Sequence, residues 1–142
     1  PKNKIVAGFI GSPEMNFVAG SVKRGDTLSF SAPQFSLRLP DRYVGALDSY
    51  VGRRVILGIR PEHIEIAKSA FFLETIEAKV DVVEPIGAET FVLAHVSGNL
   101  TLTVKHPGMG MFPIDSIIHL RPLPGEIHFF DEQTEERIVP LL

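Results

Sequence analysis

The segment Val55-Ile56-Leu57-Gly58-Ile59-Arg60-Pro61-Glu62-His63 joins an almost continuous apolar run to a charged turn. Such an apolar run is typical of a strand that is covered on both faces. Proline has no backbone N–H and fixes φ at about −65°, so it ends the strand and begins a rigid turn. The segment therefore predicts a buried strand over residues 55–59, followed by a turn that presents Arg60, Glu62 and His63.

Short strand patterns flank this segment on both sides, with glycine or proline between most of them. Apolar and polar residues alternate with period two in Thr27–Ser31 and Phe35–Leu39, as expected of half-buried strands. The other predicted strands are Phe17–Val22, Phe71–Val83, Glu89–Val96, Leu100–Lys105, Ser116–Leu120 and Glu126–Phe130. Within Phe71–Val83, the residues predicted to share one face are Ile76, Ala78, Val80 and Val82. Short strands that recur about every 8–12 residues indicate an all-β barrel or sandwich.

Two segments have apolar residues at helical spacing. Residues 3–10 are compatible with a short helix or with a strand, and the Gly11–Glu14 break that follows them predicts a domain boundary. Asp41–Tyr50 is predicted to be a helix with Asp41 as its cap after Pro40, because Val44, Leu47 and Val51 recur at helical spacing.

Composition limits the possible functions. The chain has 142 residues, a net charge of −3 and no cysteine. This length fits one domain or two small lobes, and the lack of cysteine excludes disulfides and thiolate metal sites. The acidic balance without a basic cluster argues against nucleic-acid binding. No transmembrane run or signal-peptide pattern is present.

The motifs of common catalytic sites are also absent. A phosphate-binding loop needs Gly-x4-Gly-Lys-Ser/Thr, and no lysine follows such a glycine pair. The serines lack the Gly-x-Ser-x-Gly elbow of a nucleophile. The five histidines, His63, His95, His106, His119 and His128, lack the spacing of a zinc-binding helix. We therefore expect neither a metal nor catalytic activity in this chain.

Four segments leave alternatives open. The Arg60–His63 turn is either a contact between subunits or domains, or a structural turn with local partners. Each aromatic doublet, Phe71-Phe72 and Phe129-Phe130, places one ring on each side of a sheet, so both rings are buried internally or one belongs to an interface. The loop His106–Pro113, with two methionines, is either adaptable to a partner or merely variable.

Four strings in order carry a family resemblance: Phe9–Phe17, Gly58–His63, Val82–Thr90 and His128–Asp131. Together they resemble the carboxy-terminal regulatory region of sugar ABC transporter ATPases of the maltose (MalK-like) and glycerol-phosphate (UgpC-like) types. The family more often has leucine where this chain has Phe129. The resemblance implies an OB-like barrel of the transport-associated (TOBE) type, with two interleaved small barrel subdomains and one or two short helices. It also implies that residues 1–14 end an ATPase domain and that residues 15–142 form the regulatory domain.

The same resemblance implies a function. The chain would be the regulatory and dimer-holding part of the ATP-binding subunit of an importer for sugars or related solutes. It would need no cofactor itself, because ATP and magnesium would bind the ATPase domain of the full subunit. Expected partners are a second copy, its own ATPase domain, permease subunits through that domain, and a regulatory protein. The expected location is the cytoplasmic face of the cell membrane.

Two turns are the predicted contact sites of the regulatory domain. Their candidate residues are Arg60, Glu62, His63, Gly87, Glu89 and Thr90. The alternative function is a free-standing OB domain that binds a small oxyanion such as molybdate, for which Gly87–Thr90 is a poor donor cluster.

Overall fold

The structure is a computed structural model, and it describes residues 14–67 and 74–140. Its strands are β1 (Asn16–Arg24), β2 (Leu28–Ser31), β3 (Ser36–Arg38), β4 (Arg54–Ile59), β5 (Ile64–Ala67), β6 (Ile76–Ile86), β7 (Glu89–Ser97), β8 (Leu100–Pro107), β9 (Ile117–Pro122) and β10 (His128–Asp131). One α-helix, α1 (Asp41–Leu47), and short 3-10 turns occur in the described residues. The predicted all-β, OB-like fold with a short helix is confirmed.

The described residues divide into two units. The first contains the chain up to Ile59 and from Pro124 onward, and its antiparallel sheet has the order β10-β4-β1-β2-β3. The second, within Arg60–Leu123, has the order β5-β9-β6-β7-β8. Because the chain leaves the first unit after β4 and returns for β10, the second unit is an insertion. This is the interleaving that the resemblance implies.

Strand β4 is the centre of the first unit. All five residues from Val55 to Ile59 are buried, which confirms the strand predicted to be covered on both faces. Leu57 lies opposite Phe129, and Ile56 lies opposite Phe130. Consecutive strand residues point to opposite faces, so the two phenylalanines cover different sides of the sheet.

Both rings of the Phe129-Phe130 doublet are packed internally. Phe129 contacts Tyr43 with ring centroids 4.9 Å apart, while Phe130 contacts Phe17 at 5.8 Å. Each of the two rings is only 1% exposed. The internal-packing alternative is therefore confirmed for this doublet, whereas Phe71-Phe72 lies outside the described residues.

Helix α1 differs in detail from its prediction. Pro40 is the N-cap and Asp41 is the first helical residue, with no side-chain cap. Tyr43 and Leu47 are fully buried, while Val44 is 40% exposed. Of the residues at helical spacing, Leu47 is buried and Val44 is not, because the large Tyr43 ring occupies the face against Phe129. The helix ends at Leu47 and continues as the 3-10 turn Asp48–Tyr50.

Strand β6 also departs from simple alternation. Ile76, Ala78 and Val80 are buried as predicted, but Val82 is 43% exposed. The register between β6 and β7 shifts between Val80 and Val82, with Asp81 as the extra residue. A bulge of one residue moves the following side chains to the other face. The prediction for Val82 was therefore wrong.

The predicted helix over residues 3–10 and most of the break at Gly11–Glu14 lie outside the described residues. The division at residue 14 stays a prediction. No helix in the described part of the chain is long and apolar enough to cross a membrane.

Candidate functional site

The Arg60–His63 segment forms the predicted turn. Arg60 is extended, with φ −75° and ψ 149°, and Pro61–His63 is a 3-10 turn that begins with a buried proline. The His63 N–H donates to Arg60 O at 2.9 Å, and the Leu123 N–H donates to His63 O at 2.9 Å. The second bond joins the turn at the start of the inserted unit to Leu123, the last residue of that unit. The backbone of the turn thus has a structural role, while the Glu62 side chain is exposed.

The second candidate group lies at the turn between β6 and β7. Gly87 is exposed and has φ +60°, a left-handed conformation that favours glycine. Glu89 is half-buried and its Oε2 accepts an ion pair from Lys105 Nζ at 3.2 Å. Thr90 is 1% exposed and donates its hydroxyl hydrogen to Gly108 O at 2.9 Å. Thr90 therefore anchors the loop after β8 and offers no surface to a partner.

Strand β8 connects the two candidate groups. The Pro61–His63 turn contacts β8, and β7 pairs with β8 so that Glu89 lies opposite Pro107. Lys105 pairs with Glu89 and shares a groove with Glu62. The groove has a volume of about 470 Å³ and is lined by Glu62, Ile64, Glu65, Ile66, Lys105, His106, Pro107 and Leu123. Sequence reasoning missed Lys105, because its position between the two groups follows from strand register and not from local spacing.

An apolar row runs along the outer face of the second sheet. It consists of Val82, Leu93, Phe91 and Ile86, which the register places on one face of β6 and β7. Val82 is 43% exposed and Ile86 is 51% exposed. We call these four residues the outer stripe. Charged residues of both signs share this face, because Glu84 lies between Val82 and Ile86 on β6 and opposite Phe91, and Lys105 on β8 lies on the other side of Phe91.

The loop after β8 adds further exposed apolar surface. Met109 is 75% exposed and Met111 is 93% exposed. Near them, the rings of His106 and Phe112 meet edge to face with centroids 5.0 Å apart. The two alternatives for the loop, adaptable to a partner or merely variable, both stay predictions.

The fourth family string, His128–Asp131, is structural. Asp131 accepts hydrogen bonds from the N–H groups of Gln133 at 2.8 Å and Thr134 at 3.0 Å, and from the Tyr50 hydroxyl at 2.9 Å. These bonds, led by that of Thr134, hold the pKa of Asp131 below its usual value. The carboxylate fixes the turn that follows β10.

The histidines do not assemble a metal site. Within the described ranges, no three or more His, Asp or Glu side chains come together in a way that would hold a metal ion. His128 is unusual for another reason: burial, followed by the nearby Arg137 and Arg42, lowers its pKa to about 4. It is therefore neutral at physiological pH.

Comparisons with known proteins agree with this architecture. Residues 11–64 match the MalK OB fold domain, and residues 57–130 match the TOBE domain. Two curated relatives align over 97% of the chain. One is the sulfoquinovosyl glycerol transport ATP-binding protein SmoE of Agrobacterium fabrum, with 37% identity. The other is the oligosaccharides import ATP-binding protein MsmX of Bacillus subtilis, with 32% identity.

The chain spans 37% of the length of SmoE and 38% of the length of MsmX. A solved structure of the cytoplasmic molybdate-binding protein ModG, with molybdate bound, has a TM-score of 0.61 and 13% identity. That likeness covers 80% of this chain and 94% of the ModG chain, and it concerns the fold alone.

The two matching domains divide the chain near the turn that separates the two units. The strand order, the insertion after β4 and the matches over residues 11–64 and 57–130 are mutually consistent. Since the second match alone covers more than half of the chain, the chain belongs to the TOBE domain family, in the form that also contains the MalK-type OB fold.

Proposed function

We propose that this chain is the regulatory, dimer-holding part of the ATP-binding subunit of an ABC importer for sugars or related solutes. The observation that supports it most is the alignment of 97% of the chain with transport ATP-binding proteins, SmoE and MsmX among them. The chain corresponds to little more than a third of such a subunit. The gene is therefore expected to encode an ATPase domain upstream, and sequencing that region is the direct test.

ATP and magnesium would bind that ATPase domain and not this chain. The sequence lacks the glycine-lysine loop whose N–H groups hold phosphates. The isolated chain should therefore not hydrolyse ATP. Turnover that survives repurification and exceeds a denatured control would contradict this part of the proposal. In the complete subunit, the ATPase domain would dock to permease subunits and so hold this domain at the cytoplasmic face of the membrane.

The proposed action is tethering. Two ATPase domains must separate and re-close in each cycle, and a lasting contact between their regulatory domains makes re-closure intramolecular. Such a link raises the effective concentration of each domain for the other, up to about the millimolar range for short linkers. Identical partners favour a two-fold interface in which the same patch meets itself.

The outer stripe is the surface that best suits a two-fold contact. Burial of its exposed apolar residues would stabilise the dimer. The same face also carries an acidic and a basic side chain, so in a two-fold dimer the acidic side chain of one copy can lie opposite the basic side chain of the other. The predicted contact residue Glu89 lies at this face through its pair with Lys105. The other predicted residues, Arg60, Glu62 and His63, belong to the turn that contacts β8 and are proposed for a regulatory protein or another domain.

Sedimentation over a wide concentration range tests the tether. The wild-type chain should form a weak dimer, because the interface lacks the contribution of the ATPase domains. Val82→Asp should weaken dimerisation strongly, while Val44→Asp serves as a matched control because Val44 is equally exposed, at 40%, but lies in the other unit. A strict monomer at millimolar protein would count against the tether, and equal effects of both variants would count against the stripe.

Oxyanion binding is the second candidate, and only the fold likeness to ModG favours it. The Gly87–Thr90 cluster suits an anion poorly, because the Thr90 hydroxyl is buried and already donates to Gly108 O, and Glu89 adds a carboxylate. Calorimetric titration of the chain with molybdate distinguishes oxyanion binding from the regulatory function. A heat of binding that saturates as molybdate is added would favour the oxyanion-binding function.

A further inference from the structure

The loop that follows β8 is held in place at both ends by hydrogen bonds. At its start, the Gly108 N–H donates to Ala88 O at 2.7 Å, and Gly108 O accepts from the Thr90 hydroxyl at 2.9 Å. At its end, the Asp115 N–H donates to Val80 O at 2.8 Å. We call residues 108–115 the methionine loop. Its two ends are fixed to the second sheet by backbone groups and one buried hydroxyl.

Between these anchors the methionine loop exposes two thioethers to solvent. Met109 is 75% exposed and Met111 is 93% exposed, the two highest values among the large apolar side chains that the structure describes. The ring contact within the loop is made by Phe112, which meets His106 edge to face. The hydrogen bonds and the ring contact that hold the loop are thus all made by other residues. The conformation of the loop should therefore not depend on the chemical state of the two sulfur atoms.

The third methionine of the chain is in the opposite environment. Met15 is 4% exposed and belongs to a buried cluster with Ile56 and Phe130. An oxygen atom on its sulfur would place a polar group in that cluster without a hydrogen-bond partner, which is unfavourable. The chain contains no cysteine and no tryptophan that would compete for an oxidant. It therefore carries two accessible thioethers and one protected thioether.

Hydrogen peroxide converts a thioether into a sulfoxide. A lone pair of the sulfur attacks one peroxide oxygen, so that an S–O bond forms and the O–O bond breaks. The departing hydroxide takes up the proton of the transferred oxygen and leaves as water. The sulfur loses two electrons and the peroxide gains them. At an exposed position water solvates the new oxygen, so the folded state bears no cost of burying it.

We propose that Met109 and Met111 form a site of reversible oxidation by hydrogen peroxide, which makes the exposed apolar surface of the methionine loop polar while the fold stays intact. Methionine sulfoxide reductases are the class of enzyme that reverses the reaction. Two thiols of the reductase become a disulfide, and the sulfoxide oxygen leaves as water. This goes beyond the proposed function, because it needs neither a second copy of the chain nor an ATPase domain.

Treatment of the folded 142-residue chain with dilute hydrogen peroxide tests the proposal. Mass spectrometry of proteolytic peptides locates each added oxygen. We expect one oxygen on Met109 and one on Met111, and oxidation of Met15 at least about tenfold slower, because its sulfur meets peroxide only when the buried cluster opens. In concentrated urea all the methionines should react at similar rates, because no structure protects Met15 there.

Three further measurements follow the oxidised chain. Its thermal unfolding midpoint should equal that of the untreated chain. It should elute earlier from a hydrophobic-interaction column, because two apolar side chains have become polar. Incubation with the two methionine sulfoxide reductases, one for each sulfoxide epimer, should remove both oxygens and restore the original elution.

Variants assign the effect to the methionine loop. Replacement of both loop methionines, Met109→Leu with Met111→Leu, should abolish the change in elution at the same peroxide concentration. Met15→Leu is the matched control, since it conserves core volume and should leave the oxidation of the loop unchanged.

Several results would overturn the proposal. They are oxidation of Met15 in the folded chain as fast as that of the loop, reaction at only one of the two loop methionines, a lower unfolding midpoint after loop oxidation, unchanged elution, or sulfoxides that the reductases leave in place.

Discussion

Gly58, in the middle of β4, shows how one residue of a family string serves packing. A Cβ atom at this position would lie 2.8 Å from Met15 Sδ, 2.9 Å from Phe130 Cε2 and 3.3 Å from Phe17 Cε1. Met15, Ile56 and Phe130 form one buried cluster, with Phe17 against it. Glycine is needed here because the side chains of Met15, Phe130 and Phe17 occupy the space that a Cβ atom at this position would need.

We expect Gly58→Ala to lower the free energy of unfolding by about 1–3 kcal/mol, the usual cost of overpacking. Urea denaturation followed by circular dichroism measures the change. Gly125→Ala is the control, since a Cβ there meets nothing within 4 Å and no positive φ is involved. A Gly58→Ala variant as stable as the control would contradict the packing argument.

His128 makes stability depend on pH. Its pKa is about 4 in the folded chain and 6.5 in the unfolded reference. The unfolded state therefore takes up a proton first as the pH falls, so stability is complete above pH 6.5 and is lost progressively toward pH 4. At about 1.4 kcal/mol per pKa unit, the loss is on the order of 3 kcal/mol.

Unfolding free energies measured between pH 7 and pH 4 test this expectation. His128→Gln cannot titrate, so its curve should be flat through most of this window. Asp131 does not interfere, because its pKa is lowered from 3.8 and its contribution is lost only at more acidic pH. Parallel curves for wild type and His128→Gln would show that the histidine is not the source.

At the scale of elements, the turn after β10 depends on one carboxylate. Asp131 accepts the N–H groups of Gln133 and Thr134 and the hydroxyl of Tyr50, and its own N–H donates to Glu136 O at 2.9 Å. This closes the chain back onto β10 and holds Phe129 and Phe130 against β4.

Asp131→Asn keeps the shape but loses the charge and one acceptor oxygen. We expect it to lower the free energy of unfolding by about 1–3 kcal/mol, since the Tyr50 hydroxyl loses its acceptor and Arg53 loses its ion pair at 3.8 Å. Glu132→Gln, which removes only the exposed pair with Arg54 at 3.1 Å, should change stability by at most about 1 kcal/mol. Thermal unfolding of both variants is the measurement, and equal changes would argue against the role of Asp131.

The elements also show why alternation alone failed for Val82. Alternation with period two predicts the face of each side chain after Val80 correctly only if the strand contains no bulge. The loop before β9 bonds to Val80 on both backbone groups, through Ser116 O at 2.9 Å and Asp115 N at 2.8 Å. The bulge at Asp81 follows directly after these bonds.

At the scale of the molecule, the first unit needs two distant parts of the chain. Its sheet lacks an edge strand until β10 returns after the inserted unit. The inserted unit, in contrast, contains all five of its strands without interruption, and β5 pairs with β9 near its two ends.

A chain that ends at Leu123 should therefore lose the first unit and keep the second. Phe129 and Phe130 would be absent, and the loss of each large buried aromatic costs about 3–5 kcal/mol, which together exceeds or rivals the stability of a typical domain. Two-dimensional NMR should show dispersed signals for Arg60–Leu123 only. Dispersed signals from β1 and β4 in this truncated chain would contradict the expectation, and Arg60–Leu123 expressed alone is the control.

The sequence by itself determined the all-β class, the buried strand β4, the turn at Arg60–His63 and the family. Each of these depends on local properties: the length of an apolar run, the missing N–H of proline, the period of alternation, and four strings in order. The six predicted contact residues were placed on turns and strand ends for the same reason.

Only the tertiary structure decided what those residues meet. Strand register brought Lys105 between Glu62 and Glu89, buried Thr90 under the loop at Gly108, and exposed Val82 through a bulge. It also decided that both faces of the first sheet are covered at Phe129 and Phe130 and that Ile64, Ile66 and Leu123 line a groove together with Lys105. These outcomes depend on pairings between residues far apart in the chain, and periodicity within one strand carries no information about the strand that will lie beside it.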